Sequence, residues 1–387
     1  MSAVRATFTL GRIAGVRIGV NWSVALVFAL IASGLAAGRL PEAYPDRAWP
    51  LYLLVGLGAA LVFFASLLAH ELAHAVVARR HGVGVDDIVL WLLGGATRMR
   101  TEAPDPRAEL RIAGSGPLVS LLLGVAFALL TWLLDTTGAA GLLVESTAWL
   151  AAINLLLAAF NVIPAAPLDG GRLLRAFLWR RTGDRLRATE GASTAGRVFG
   201  WVLVGLGLWQ FLWTTWFGGL WLALIGWFLV MAASQEGRQA RVRELVAGVA
   251  VRDTMTPDPV SVPERLTVDH LLSDPSLMPR HTAFPVTGDD GTRPKGLVTL
   301  DGAGGVPEER RARTTVAEIM RPLPETRVAG PDEALADLLP RLEPGAEHRV
   351  LVVDRGGRLV GIVSPSDVNR TIRRMATRPR PDQPART

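Results

Sequence analysis

The sequence predicts a polytopic α-helical membrane protein with about six transmembrane helices and a small membrane-associated β segment, followed by a C-terminal α/β domain. Three observations carry this. Half of the 387 residues are hydrophobic and mean hydropathy is +0.30, high for a water-soluble chain. Several apolar runs approach the length needed to cross a bilayer. Composition also breaks near Ser234: all twelve Trp lie before it, and charge and Pro rise after it. A membrane domain over 1–234 and a linker over 235–247 follow from that break. Two repeats over 248–305 and 312–375 and a basic, disordered tail over 376–387 complete the expected organisation.

The opening residues alternate around Gly11 and Gly15, which predicts a short hairpin. Arg5, Arg12 and Arg17 with no small-residue cleavage site argue against a removable signal peptide. The first run is Trp22 to Ala37, and Leu40 to Pro50, with three Pro, reads as a loop. The second run, Leu51 to Ala78, is stopped by Arg79, Arg80 and Gly82. Residues 82–97 are too Gly-rich and too short to span, so they read as a strand pair or re-entrant segment. The third run, Ile112 to Leu134, is entered through Gly114-Ser115-Gly116-Pro117. The fourth, Leu142 to Val162, breaks at a Pro- and Gly-rich stretch. The fifth and sixth are Val198 to Trp213 and Leu220 to Ala233. Arg is concentrated after runs two, four and six and nearly absent after three and five. Six spans with both termini cytoplasmic satisfy that pattern. The net charge of +6 is explained by these loops, so no nucleic-acid partner is expected.

After the spans, Val251-Arg-Asp-Thr-Met-Thr-Pro is echoed by Val316-Ala-Glu-Ile-Met-Arg-Pro about 65 residues on. Each unit reads as strand, helix, strand, strand, helix, two half-domains that bury their sheets against each other.

Chemistry concentrates in the second run at His70-Glu71-Leu72-Ala73-His74. Residues four apart share a helix face, so His70 and His74 reach one metal ion, and Glu71 beside them suits a general base. Imidazole and carboxylate groups in an apolar run are costly unless used. The chain has no Cys, so a zinc site must be built from His and carboxylate. The longer zinc pattern with a third His fails here, because Val77 and Arg80 occupy its positions. Glu102 and Glu109, among Pro and Arg, read as solvated loop acids. Asp169 is better placed, on irregular backbone between Pro167 and Gly170 at the broken end of run four.

The His-Glu-Leu-Ala-His run, with Asn161-Val162-Ile163-Pro164-Ala165-Ala166-Pro167-Leu168-Asp169-Gly170-Gly171 in a later span, resembles the site-2 protease family of intramembrane zinc metalloproteases. The trailing tandem resembles a pair of CBS domains, and the two resemblances cover nearly the whole chain. They imply one Zn2+ held by His70, His74 and Asp169, with Glu71 as general base and Asn161 near the substrate or oxyanion. Residues 83–97 would be the family's β segment, whose edge pairs with an unwound substrate. The Asn common a few residues after Pro117 is absent, with Val119-Ser120 instead, which leaves that turn without an assigned role. In the CBS pair, Ser364 and Asp367 fit an adenosine contact for ATP or AMP, whereas Asp301 stands one place early after Thr299. The implied partners are the lipid bilayer, a membrane-bound regulator such as an anti-sigma or pro-sigma factor, and a second copy through the CBS domains. A CBS-gated transporter or channel, and a loop-cleaving membrane zinc peptidase, are the competing readings.

Overall fold

The computed structural model describes residues 6–376 except 93, 100, 140, 215–217, 276, 278–280, 289, 324, 340, 341 and 343–348. The expected tail at 376–387 lies outside them from residue 377 on, and Ala376 is the last residue of a helix. The chain forms two compact units, Met1–Ala240 and Arg241–Thr387.

In the first unit, α1 (Ser23–Gly34) continues through a π-helical turn at Leu35–Arg39 into α2 (Leu40–Ala43). Then come α3 (Trp49–Arg80), α4 (Pro106–Thr136), α5 (Gly141–Val162), the shorter α6 (Asp169–Thr182), α7 (Arg185–Thr214) and α8 (Gly218–Leu245). Six helices among the described residues are long and apolar enough to cross a membrane: α1 with α2 as one, then α3, α4, α5, α7 and α8. Their outer faces carry exposed Leu54, Leu129, Trp132 and Trp213, as a lipid-facing surface requires.

Several helices outrun their apolar segments. Asp105 caps α4, its Oδ1 accepting the backbone N–H of Arg107 and of Ala108 at 2.8 and 2.9 Å, so the helix opens at Pro106 rather than at Ile112. The stretch from Leu40, read as a loop, contains α2 and the first two residues of α3. The segment read as a linker from residue 235 continues α8 as far as Leu245. α3 does stop at Arg80, with two Arg in its last turn and Gly82 at φ +78° beyond it. α7 and α8 meet through glycines: a Cβ on Gly200 would lie 2.7 Å from the Gly226 carbonyl oxygen, and one on Gly226 would lie 2.6 Å from that of Gly200.

The expected hairpin and strand pair form one sheet. β1 (Phe8–Ile13) and β2 (Val16–Val20) are antiparallel, β2 runs parallel to β3 (Val85–Trp91), and β3 is antiparallel to β4 (Gly94–Met99). Val16 and Ile88 pack on Ala75, which seats the sheet against the histidine-bearing end of α3 and leaves β4 as an edge.

In the second unit, β5 (Thr256–Pro257) precedes the first repeat, β6 (Val262–Pro263), α9 (Val268–Ser273), β7 (Ala283–Thr287), β8 (Pro294–Thr299) and α10 (Leu300–Gly304). Two single turns, α11 (Glu308–Arg311) and α12 (Val316–Ile319), lead to β9 (Arg321–Pro322). The second repeat is β10 (Arg327–Ala329), α13 (Leu335–Leu338), β11 (Val350–Val353), β12 (Leu359–Val363) and α14 (Pro365–Ala376). The sheets are ordered β6-β7-β8-β9 and β10-β11-β12-β5. The strand that enters each repeat therefore completes the other repeat's sheet. Separate cores form around Phe284 and Leu271 and around Leu335 and Val350, and Ala283, Leu297, Leu351 and Ile362 cluster across the two.

Candidate metal centre

His70 and His74 stand one turn apart on α3 and are 3% and 4% exposed. Their Nε2 atoms are 3.3 Å apart and face the same point. Asp169 Oδ2 lies 3.2 Å from His70 Nε2 and 3.0 Å from His74 Nε2. Among the described residues these three form the one group of His, Cys, Asp or Glu side chains close enough to share a metal ion. The spacing fits: two ligands at zinc–nitrogen distance about a tetrahedral ion lie roughly 3.3 Å apart.

The outer side of each imidazole is also held. His74 Nδ1 is 2.7 Å from the Ile112 carbonyl oxygen, which only accepts, so Nδ1 carries the proton. Its Nε2 then keeps a free lone pair pointing into the site, the form a metal needs. His70 Nδ1 is 2.9 Å from the hydroxyl of fully buried Ser120. Ile112 and Ser120 both belong to α4, so that helix orients both rings. Gly116 lies between them, inside α4 rather than in a turn, and a Cβ there would fall onto the Nε2 atoms of His74 and His70. A glycine is what leaves room at the point the ligands face.

Asp169 is not at the end of the fourth span. α5 ends at Val162, and Asp169 is the first residue of α6, with Leu168 at its N-cap. The intervening Pro164 and Pro167 supply no backbone N–H to continue the span, and the Ala166–Pro167 peptide is cis. Gly170 and Gly171 let α6 start hard against the connecting loop, since a Cβ on Gly170 would meet the carbonyl oxygens of Val162 and Ile163. From α7, Gly196 leaves no room for a Cβ beside Ala166.

Glu71 sits beside the pair, partly exposed. Its Oε2 accepts a hydrogen bond from Thr97 Oγ1 of β4 at 2.8 Å. Gly95 lies directly against the carboxyl, where a Cβ would come within 2.5 Å of Glu71 Cδ. The β segment thus touches the candidate base. Asn161 is not joined to this cluster by a hydrogen bond among the described residues; its amide donates to the Leu157 carbonyl of its own helix at 3.0 Å.

The two acids read as solvated separate. Glu102 is half exposed and pairs with Arg185 at 2.7 Å. Glu109 is a correction: it is fully buried in α4 and pairs with Arg175 of α6. The apolar run begins three residues later, and the capped extension of α4 carries Glu109 into the packed interior.

In the second unit, Ser364 donates to Asp367 Oδ2 through both its backbone N–H (3.0 Å) and its hydroxyl (2.6 Å). Arg370 reaches Asp367 Oδ1 at 2.7 Å. These residues, with Thr256, His281, Arg349 and Ile362, line a cavity of about 340 Å³. Burial holds the Arg349 guanidinium below its usual range, against the opposing charge of Asp367. In the first repeat Thr299 Oγ1 instead accepts the Gly302 N–H at 3.1 Å, and Asp301 is exposed.

Thr97, Ser120 and the Ile112 carbonyl contact the candidate residues Glu71, His70 and His74, and the sequence reading missed them. Ser120 lies in the stretch after Pro117 where the resemblance expects an Asn and this chain has Val119-Ser120.

The family model of peptidase family M50 matches residues 58–141 and 135–203, and the CBS domain model matches 251–302 and 316–374. The chain is 45% identical over 370 residues to a Mycobacterium tuberculosis protein called zinc metalloprotease Rip3, covering 95% of this chain and 93% of that one. It is 28% identical over 362 residues to the Synechocystis zinc metalloprotease sll0528, with 93% of each chain covered. The solved site-2 protease from Methanocaldococcus jannaschii is similar at 29% identity and a TM-score of 0.40, over 60% of this chain and 95% of that one.

Proposed function

The chain belongs to peptidase family M50 as a membrane-embedded zinc metalloprotease with a C-terminal CBS pair, and we propose that it cleaves membrane-spanning segments within the bilayer. The observation that supports this most directly is the convergence of His70, His74 and Asp169 beside Glu71, with both histidines and Glu71 on a helix apolar enough to span.

The residues present fit Zn2+: two imidazoles with outer-side partners, one carboxylate, and a glycine where a side chain would block the point they face. His70 Nε2, His74 Nε2 and Asp169 would hold it. When bound, the ion supplies Lewis acidity and lowers the pKa of water to about 7. Glu71 keeps Oε2 on Thr97 and uses Oε1 to take the proton of the attacking water, then returns it to the leaving amine. One N–H of Asn161 is spent on Leu157, and the second remains for a substrate carbonyl. The β4 edge receives an extended substrate strand by main-chain pairing, which unwinds the helix to be cut.

The Arg-rich ends of α3 and α6 lie on the cytoplasmic side in this reading, with both termini there and the chain in the cell membrane. Substrates are membrane-bound regulators of the anti-sigma or pro-sigma kind. Residues 1–234 carry the catalysis, and the CBS pair senses ATP or AMP in the cavity at Asp367 and mediates a homodimer. A transporter or channel leaves Glu71 between two buried histidines without a task. A loop-cleaving zinc peptidase with a Glu ligand is disfavoured because, among the described residues, the acid beside the two histidines is Asp169 and not a Glu.

Glu71→Gln is the test. A reporter with one transmembrane segment, reconstituted with the full chain, should be cut by wild type, while the variant keeps its zinc and loses cleavage. Cleavage confined to a loop outside the bilayer, or undiminished cleavage by the variant, would overturn the proposal.

A further inference from the structure

Glu109 is a fully buried carboxylate that the proposed chemistry does not use. Burying a charge is costly, and removing one partner of a buried ion pair leaves the other uncompensated, so Glu109 holds its partner firmly. Arg175 Nε donates to Glu109 Oε1 at 2.7 Å, and its Nη2 donates to the same oxygen. Arg175 Nη1 donates to Glu236 of α8 at 3.1 Å.

The two partners sit at informative places. Glu109 is three residues before Ile112 on α4, one turn away, and Ile112 is the carbonyl that holds His74 Nδ1. Arg175 is on α6, the helix that Asp169 opens. One turn of α4 therefore grips both the ring of His74 and the helix of Asp169. The connecting loop from α5 carries two Pro, so α5 does not run on into α6, which is seated by α4 and by α7 two residues beyond it.

We propose that Arg175, clamped between Glu109 and Glu236, is a positioning residue that sets Asp169 against His70 and His74. This rests on those three residues being the metal ligands. Arg175 touches neither metal nor substrate; it acts through the seat of α6. Outer partners of metal ligands change affinity about 10–100-fold when removed, and a comparable loss is expected here.

The test measures zinc affinity of the full-length protein in detergent by chelator competition, with the absorption spectrum of the Co2+-substituted form and the melting temperature of the apoprotein alongside. The variants are Arg175→Lys, which keeps charge but loses the fork, and the double variant Glu109→Gln with Arg175→Met, which removes the pair together. The expected result is a zinc affinity at least about tenfold weaker and an altered Co2+ spectrum, with apoprotein melting close to wild type in at least one variant. Glu236→Gln should give a smaller effect in the same direction. Wild-type zinc affinity and spectrum in a folded variant would overturn the proposal, and if the double variant does not fold, Arg175→Lys decides. Asp169→Asn is the separating control. If it too leaves zinc affinity unchanged, the ligand assignment itself fails; if it weakens zinc while the Arg175 variants do not, only the positioning role fails.

Discussion

Thr97 of β4 donates its hydroxyl hydrogen to Glu71 Oε2 over 2.8 Å, so an edge strand and a spanning helix meet at the candidate base. The bond occupies one carboxylate oxygen and fixes where the other points. A substrate strand pairing with β4 would therefore enter in register with the base.

Thr97→Val keeps the shape and removes the donor. Steady-state kinetics on a reconstituted reporter should show kcat about tenfold lower with KM and zinc content unchanged. Thr97→Ser should retain most of the activity. A change in KM alone would mean that Thr97 serves substrate pairing and not the base.

Gly116→Ala puts a methyl group on the Nε2 atoms of both histidines. Metal analysis of the purified variant should find zinc lost. Gly114→Ala is the matched control on the same helix, because its Cβ meets only Leu173 Cδ2 at 3.8 Å. Equal zinc in the two variants would contradict the assignment of the site.

Ser120→Ala deprives His70 Nδ1 of its partner. Zinc affinity should weaken by about 10–100-fold, measured by chelator competition, with little effect on the fold. Undiminished affinity would show that ring packing alone orients His70.

Asp105 accepts the backbone N–H groups of Ala108 and Arg107, which hold its carboxyl below the usual carboxylate value. A depressed carboxyl contributes stability above its unfolded pKa, and that stability is lost as pH falls through its folded value. Asp105→Ala should therefore melt at a lower temperature than wild type at pH 7, and the gap should close as pH drops below about 4. A gap independent of pH would mean that packing, and not the charged cap, is what the substitution removes.

Asp367→Ala should abolish AMP or ATP binding to the full chain in isothermal titration, whereas Asp301→Ala should leave it intact. The cavity is built around the former, and the latter is exposed. No heat from wild type at saturating nucleotide would end the sensing proposal.

The spans were legible because lipid demands continuous apolar surface, and the His pair because helix periodicity brings residues four apart together. Asp169 was marked by its Pro and Gly neighbours. α6 was not legible: its Arg-rich sequence resembles a loop, and it becomes a helix where it packs on α4 and α7. Thr97, Ser120 and Arg175 were hidden for another reason. Each acts on a residue 26, 50 or 66 positions away, a distance that only the folded chain closes. Glu109 was misread because charge near Pro and Arg suggests solvent until a capped helix carries it inside.

The exchange of β5 and β9 between the two C-terminal sheets sets an order of biosynthesis. β5 leaves the ribosome roughly a hundred residues before β12, the strand it pairs with. The second sheet thus closes only when the chain has been made through β12, and a product truncated before Leu359 leaves β5 unpaired. Removing β10–β12 would leave β5 without its partner strand, and removing β6–β8 would do the same to β9, so the two repeats are built as a pair.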